Sequence, residues 1–530
     1  MGRVRHPARE KIRSRVRRTP RAAAVVMAAV LGATSALTGT AAAQQERGWW
    51  NDGTRYYVDC GSGDDGAPGT SPGEAWKTLA KVNTVTFEPG DTISLRRGTT
   101  CGGTLEPKGS GTARAPISLD AYGYGARPVI NGGGARAAVF LHDVQGWEIR
   151  GLEITNPGPD DGAPRIGIYV LLDDYGTGEH YVVDNVKIHD VPGCDCLQAE
   201  KENSGGIVFK AAGSETPTGF DGIRVTRNQI SDIDNVGIGT VSQWVKRDLY
   251  PGGTNHWVPM RNVHVTWNQV TNTGGDGILV SNGVDSVTAH NKVDGFGLRG
   301  VQAHAGILAF NSDRPVVQYN EVTGGSSNPP SFAFSVDAGN RDLVYQYNYS
   351  HDNDGPFILF CAFAGTSGDG AKIRYNLSEN DLDLAIGTFT IPIVSNGCDN
   401  PIEDVEFYNN VIHSERAGRL VRSLPHTPIK FSNNVFSGRF AGASIVDDVG
   451  VYDHNVYRNV TGIPAGDQHA ITQDPRFTAP GSGPWGYRLR CGSPAIGAGV
   501  DVAGDGGRDL FGNRIPSPPN IGVYQGRCAR

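Results

Sequence analysis

Val316 to Cys361 reads VVQYNEVTGGSSNPPSFAFSVDAGNRDLVYQYNYSHDNDGPFILFC. A short apolar run leads into Tyr319-Asn320, a Gly/Ser/Pro turn follows, and the phrase returns at Leu343 to Asn348. Acidic residues flank both copies: Asp313 and Glu321 beside the first, Asp337, Asp352 and Asp354 beside the second. Repetition of the apolar phrase bears on the fold, and the clustered acids bear on chemistry.

Working outward, the phrase recurs with an apolar residue before each Asn and usually another after it. Copies centre on Asn228, Asn268, Asn320, Asn348, Asn376, Asn410, Asn434 and Asn455, with a weaker one at Asn291. Single short strands repeating without intervening helices indicate a β-solenoid. Paired strands lie about 4.8 Å apart, so the Asn side chains should stack, each amide bonding backbone and the Asn on the next coil. These Asn residues are read as a structural ladder, not as ligands.

Upstream of the repeats, Asp91 onward already reads as strands rich in Val and Ile, split by Gly, Asn and Asp. Ala75 to Val82 sets Trp76, Leu79 and Val82 at helical spacing, which predicts a short amphipathic plug over the open end of the coil. Two insertions interrupt the period. Ser242 to Asn262 carries Trp244, Tyr250, His256 and Trp257, either as a cleft wall whose rings stack on sugars or as anchors for the loop itself. Asn203 to Phe220 has no distinctive chemistry. Beyond Asp474 the ladder Asn is missing, and the chain reads as a closing flap over the last coil.

The first 43 residues have the layout of an export leader: a basic stretch from Arg3 to Arg21, an apolar run from Ala22 to Leu37, and Ala41-Ala42-Ala43 as the cleavage site. Arg17-Arg18 admits twin-arginine export, but the rest of that motif is missing and the general secretory route is favoured. Removing the leader takes the net charge from −7 to −15. An acidic surface argues against a nucleic-acid partner, and no later apolar run is long enough to span a bilayer. Export also suits disulfides. Sequence proximity pairs Cys60 with Cys101, Cys361 with Cys398 and Cys491 with Cys528. Cys194 and Cys196 are left for a tight local bridge, with zinc as the alternative.

The expected organisation is thus all-β: leader 1–43, N-terminal lead-in and cap 44–115, parallel β-helix 116–473, and closing segment 474–530. Three stretches carry a family likeness. Tyr56–Asn83 followed by Phe87–Gly98 resembles the opening of right-handed parallel β-helix polysaccharide lyases and glycoside hydrolases. Ser493–Gly499 through Asn520–Gly526 resembles their close. Gly306–Val322 through Gln346–Cys361 is similar to a subset of secreted bacterial β-helix proteins. In that subset the segment equivalent to Phe334-Ser335-Val336-Asp337 generally reads Phe-Asp-x-Asp. Ser335 here replaces the first acid and Asp337 is the surviving carboxylate. The resemblance implies a secreted, monomeric protein acting on a polysaccharide or oligosaccharide.

Hydrolysis of a glycosidic bond needs two carboxyls, one protonated and one ionised. Asp337 is the first candidate, then Asp354, then Glu321, with Asp313 as a supporting acid. Trp244, Trp257, His304 and Arg341 are the substrate-binding candidates, and His351 also lies near the acids. This reading requires no cofactor. The competing reading is β-elimination on a uronic acid polymer, with Lys292, Arg299, Arg314 or Arg341 as base and the acids holding Ca2+. The third is a non-catalytic carbohydrate-binding β-helix. Few lysines in the central repeats favour hydrolysis, because a polyanion prefers a basic groove.

Overall fold

The computed structural model describes residues 53–529, apart from 160, 195–203, 364, 387–388, 417 and 439–441. The leader expected at 1–43 lies outside the described residues, as does Cys196. Among the described residues no helix is long and apolar enough to cross a membrane.

Strands of successive coils pair into three long sheets. Sheet I runs from Arg55–Val58 to Val451–Asp453, sheet II from Thr100–Gly102 to Val456–Arg458, and sheet III from Ala137–His142 to Val460–Thr461. Among the described residues they contain 15, 13 and 12 strands, near-equal numbers because most coils give one strand to each. One coil comprises Val316–Gln318, Glu321–Thr323 and Ser331–Asp337; the next comprises Val344–Gln346, Tyr349–His351 and Ile358–Cys361. Pairing is parallel and in register, Val317 with Tyr345, Val322 with Ser350 and Ser335 with Leu359. This is a parallel β-helix, right-handed as parallel crossovers are.

Alternation along each strand fills the interior. Val317, Val322, Phe334, Tyr345, Ile358 and Phe360 belong to one continuous buried cluster from the first coil to the last. The corner between sheets I and II is the most regular part. Trp267, His290, Tyr319, Tyr347 and Tyr375 each adopt φ between 52 and 62°, and each immediately precedes a ladder Asn. A left-handed residue reverses the chain without a helix, and the Asn after it satisfies the backbone groups the turn leaves free. Asn320 Nδ2 donates to Asn348 Oδ1 at 3.0 Å and to the Thr288 carbonyl at 2.9 Å, while its backbone N–H donates to the same Oδ1 at 3.0 Å. The pattern continues through Asn228, Asn268, Asn291, Asn348, Asn376, Asn410, Asn434 and Asn455. Val186 N–H starts the ladder, and the Asp467 carboxylate ends it by accepting from Asn455.

The ends differ from expectation in three respects. The coil begins well before residue 116, since Arg55–Val58 already pairs with Thr92–Arg96 and that strand with Ile117–Tyr122. Of the plug expected over 75–82, only Leu79–Val82 is helical. Trp76 exchanges backbone bonds with Tyr57 and Asp59, so its peptide groups are committed to strand pairing. Trp76, Leu79 and Val82 are nonetheless all buried, as a plug requires. The C-terminal segment covers a side as well as an end: Phe477, Tyr487, Leu489, Ile521 and Val523 pack on Leu377, Val411, Val435 and Val456 along the outer face of sheet II. Disulfides join Cys60–Cys101, Cys361–Cys398 and Cys491–Cys528, and Cys194 is also disulfide-bonded.

Candidate active site

Asp313, Asp337, Asp354 and Glu321 lie within two coils but on different sides of them. Asp337 ends the sheet III strand Ser331–Asp337, half-buried, and accepts a 2.5 Å hydrogen bond from the Ser335 hydroxyl. Its register neighbour is Cys361. Asp313 stands at the corner where sheet III gives way to sheet I, paired with the buried Arg247 at 2.7 Å. Glu321 projects from sheet II, bonded to Lys292 at 2.7 Å and His351 at 3.4 Å. The His351 bond, with help from Lys292 and against the opposing effect of burial, pulls its carboxyl down to about 2. That carboxylate stays ionised and cannot serve as the proton donor. Asp354 lies at the opposite end of the sheet III strands from Asp337, on the order of 20 Å away at about 3.3 Å per residue. The sequence order of these acids thus does not become one trough.

Asp354 has a different companion. It and Asp383 line one hollow of about 650 Å³, together with Ser327, Asn328, Pro330, Leu382, Leu384 and Ala385. Their coils are adjacent: Asp354 N–H donates to the Gly325 carbonyl and Leu382 N–H to that of Gly355. Asp383 accepts from the Arg419 backbone N–H at 3.1 Å, and Arg416 stands 3.9 Å from Asp354 at the rim. Asp383 falls between ladder phrases, so its sequence context does not mark it. Aligning the copies on Asn348 and Asn376 places it close to Asp354, one coil on.

The substrate-binding candidates are mostly enclosed. Trp244 is 5% exposed and its indole N–H bonds the Ala212 carbonyl, so it anchors the inserted loop and cannot meet a ligand. Trp257 bonds the Asn311 carbonyl and carries the Arg247 guanidinium 4.3 Å above its ring. His304 is buried, 3.3 Å from Asp276. Arg341 is half-buried and paired with Asp248 at 2.9 Å. The loop's ring on this side is Tyr250, edge-on to Phe310 and Phe363.

A larger cleft, about 1040 Å³, opens on the outer face of sheet I. Arg150, Arg224 and Arg227 line it with Glu148, Glu179 and Asp221, and Trp267, 60% exposed, closes one end. Glu179 and Asp221 are in register on neighbouring strands. Glu148 is held by His180 at 2.9 Å and Arg150 at 3.0 Å. Arg150 and Arg227 both pair with Asp184 at 2.7 Å, and the four sequence candidates for an eliminating base are likewise each ion-paired: Lys292 with Glu321, Arg299 with Asp234, Arg314 with Asp285 and Arg341 with Asp248.

Fold and site together define a parallel β-helix with acid-bearing hollows on its flanks, the architecture of the carbohydrate-active β-helix proteins. Comparison with known proteins agrees. The right-handed β-helix region matches residues 252–382. A lacto-N-biosidase of Bifidobacterium longum subsp. longum is 26% identical over an alignment covering 90% of this chain and 36% of that protein. The chain therefore spans about a third of that relative's length. Among solved structures, the GH136 lacto-N-biosidase of Eubacterium ramulus superposes with a TM-score of 0.60 at 24% identity, covering 76% of this chain and 67% of that one. XylC, solved with xylose, gives a TM-score of 0.50 at 11% identity over 90% of this chain and 99% of that one.

Proposed function

We propose that the protein is a glycoside hydrolase that cleaves an oligosaccharide by paired-carboxylate chemistry, with Asp354 and Asp383 as the acid pair. The observation that carries this is their position on successive coils of one open hollow. Coils are about 4.8 Å apart, the scale of the ~5 Å separation used by retaining glycosidases, whereas inverting ones leave ~6.5–9.5 Å for a water. One carboxyl protonates the leaving oxygen while the other attacks the anomeric carbon; water then releases the sugar with retained configuration. Similarity to lacto-N-biosidases over most of the chain supports an oligosaccharide as substrate. Asp337 remains the alternative catalytic carboxylate, at the other margin of sheet III.

A second reading is favoured by one feature, the three arginines of the sheet I cleft. They suit the carboxylates of a uronic acid polymer, for which elimination replaces hydrolysis. Incubation with neutral and uronic saccharides, following reducing ends together with unsaturated-product absorbance, separates the two. Reducing ends alone, lost about 10²-fold or more in Asp354→Asn and Asp383→Asn and released with retained configuration by NMR, support the hydrolase. Unsaturated product abolished by Arg224→Ala establishes the lyase. Loss confined to Asp337→Asn moves the catalytic carboxylate to sheet III.

A further inference from the structure

We propose that Asp453, His454 and His469 form a site for one divalent cation of the zinc class, which staples the closing loop to the last coil. Asp453 ends the final strand of sheet I, Val451–Asp453, and His454 is the left-handed corner residue after it, φ 55°. His469 comes from the following loop. That loop is fixed on both sides of His469: the Asp467 carboxylate accepts from Asn455, and Ile471 N–H donates to the Asn455 carbonyl. The three side chains are therefore brought together by the ladder itself and not by chance contact of mobile loops.

Asp453 Oδ1 lies 2.8 Å from His454 Nδ1 and 2.7 Å from His469 Nδ1, and all three ligand atoms fall within 4.8 Å of one another. The two imidazoles stack with centroids 4.0 Å apart and planes 24° from parallel, so both Nδ1 atoms face the same carboxylate oxygen. His454 Nδ1 is buried and, although 2.8 Å from Asp453 Oδ1, completes no hydrogen bond, while His469 Nδ1 is hydrogen-bonded to that same oxygen at 2.7 Å. A nitrogen held next to a carboxylate without bonding it is placed to share a cation with it. Two imidazole nitrogens and one carboxylate oxygen are three of the four ligands of tetrahedral Zn2+. The set does not suit Ca2+, which takes six to eight oxygens. Side-chain exposures of 44% for Asp453 and 58% for His469 leave an approach for the ion and room for water as fourth ligand.

The test is chelator-treated full-length protein titrated with Zn2+ by calorimetry and with Co2+ by visible absorption, with thermal melts alongside. Uptake of one equivalent, tetrahedral Co2+ bands and a Tm rise of several degrees are expected, since a ligand of the folded state stabilises by mass action. Both uptake and Tm rise should disappear in His469→Ala, whose exposed side chain leaves the metal-free fold intact. They should also disappear in His454→Asn, which keeps a residue that tolerates φ above zero. No uptake by the wild type, or uptake unchanged in either variant, overturns the site.

Discussion

Asn348 donates through Nδ2 to Asn376 Oδ1 at 3.0 Å and to the Val317 carbonyl at 2.9 Å, and its own Oδ1 accepts two N–H groups of Asn320. Substituting Ala leaves these buried partners unpaired at about 1–3 kcal/mol each, with partial relaxation. Asn348→Ala should therefore lower stability by about 3–5 kcal/mol in denaturant titrations. One rung away in space, Glu321 and His351 make a pH-dependent contribution. The carboxyl is pulled from 4.5 to about 2, first by its His351 bond. Its stability contribution is present above pH 4.5 and is lost as pH falls toward 2. Burial would depress His351, but its bonds to Glu321 and Asp352 outweigh burial and raise it above 6.5. That contribution is complete below pH 6.5 and fades as pH rises through the raised value. The Tm deficit of His351→Gln should thus be greatest between pH 4.5 and 6.5 and shrink on both sides; a deficit independent of pH contradicts the coupling.

The inserted loop of residues 242–262 is held by a single side chain more than by any other. Arg247 bonds Asn311 Oδ1 and Asp313 Oδ1 at 2.7 Å each, caps the Gly339 carbonyl and stacks on Trp257. Arg247→Ala removes all four contacts and leaves Asp313 enclosed without its cation, a loss of about 3–5 kcal/mol for a broken buried pair. Hydrogen exchange should accelerate through residues 242–262 while the ladder rungs stay protected. The Asn ladder was legible because stacking demands the same residue at each corner, so geometry writes itself as a repeated letter. The side chains that flank the corners obey no such constraint. Whether Glu321 or Asp337 faces a shared hollow depends on strand phase, where one residue's offset sends a side chain to the other face. Asp383 carries no sequence mark for the same reason, its partnership with Asp354 being set by coil stacking across residues that share no phrase. Sequence reports the aromatic character of Trp244 and Trp257 and not the backbone carbonyls that capture their N–H groups.

At the scale of the molecule, a solenoid of parallel sheets needs a cover wherever an outer face is apolar, since all-parallel sheets are stable when both faces are covered. Sheet II meets this need late in the chain. Leu377, Val411, Val435 and Val456, one from each of the last four coils, are completely buried beneath the segment that starts near Asp474. The same segment packs Val502, Leu510 and Ile515 against the tyrosine column Tyr347, Tyr375 and Tyr408. Its polar attachments are equally specific: Asn409 Nδ2 donates to the Asn520 carbonyl at 2.9 Å, and Asn433 exchanges two 2.8 Å bonds with Val500. A chain ending at Gln473 would expose an apolar strip four coils long beside an unpaired polar corner. Such a patch on a row of parallel strands promotes association. The shortened chain should therefore elute as soluble aggregate or precipitate, with light scattering rising with concentration. Replacing Leu377, Val411 and Val435 by Thr in it should restore monomer, because the strip would then be polar while the core-facing rows are untouched. A shortened chain that stays monomeric with the wild-type Tm would show that the coil is stable without its cover and that the C-terminal segment serves another purpose.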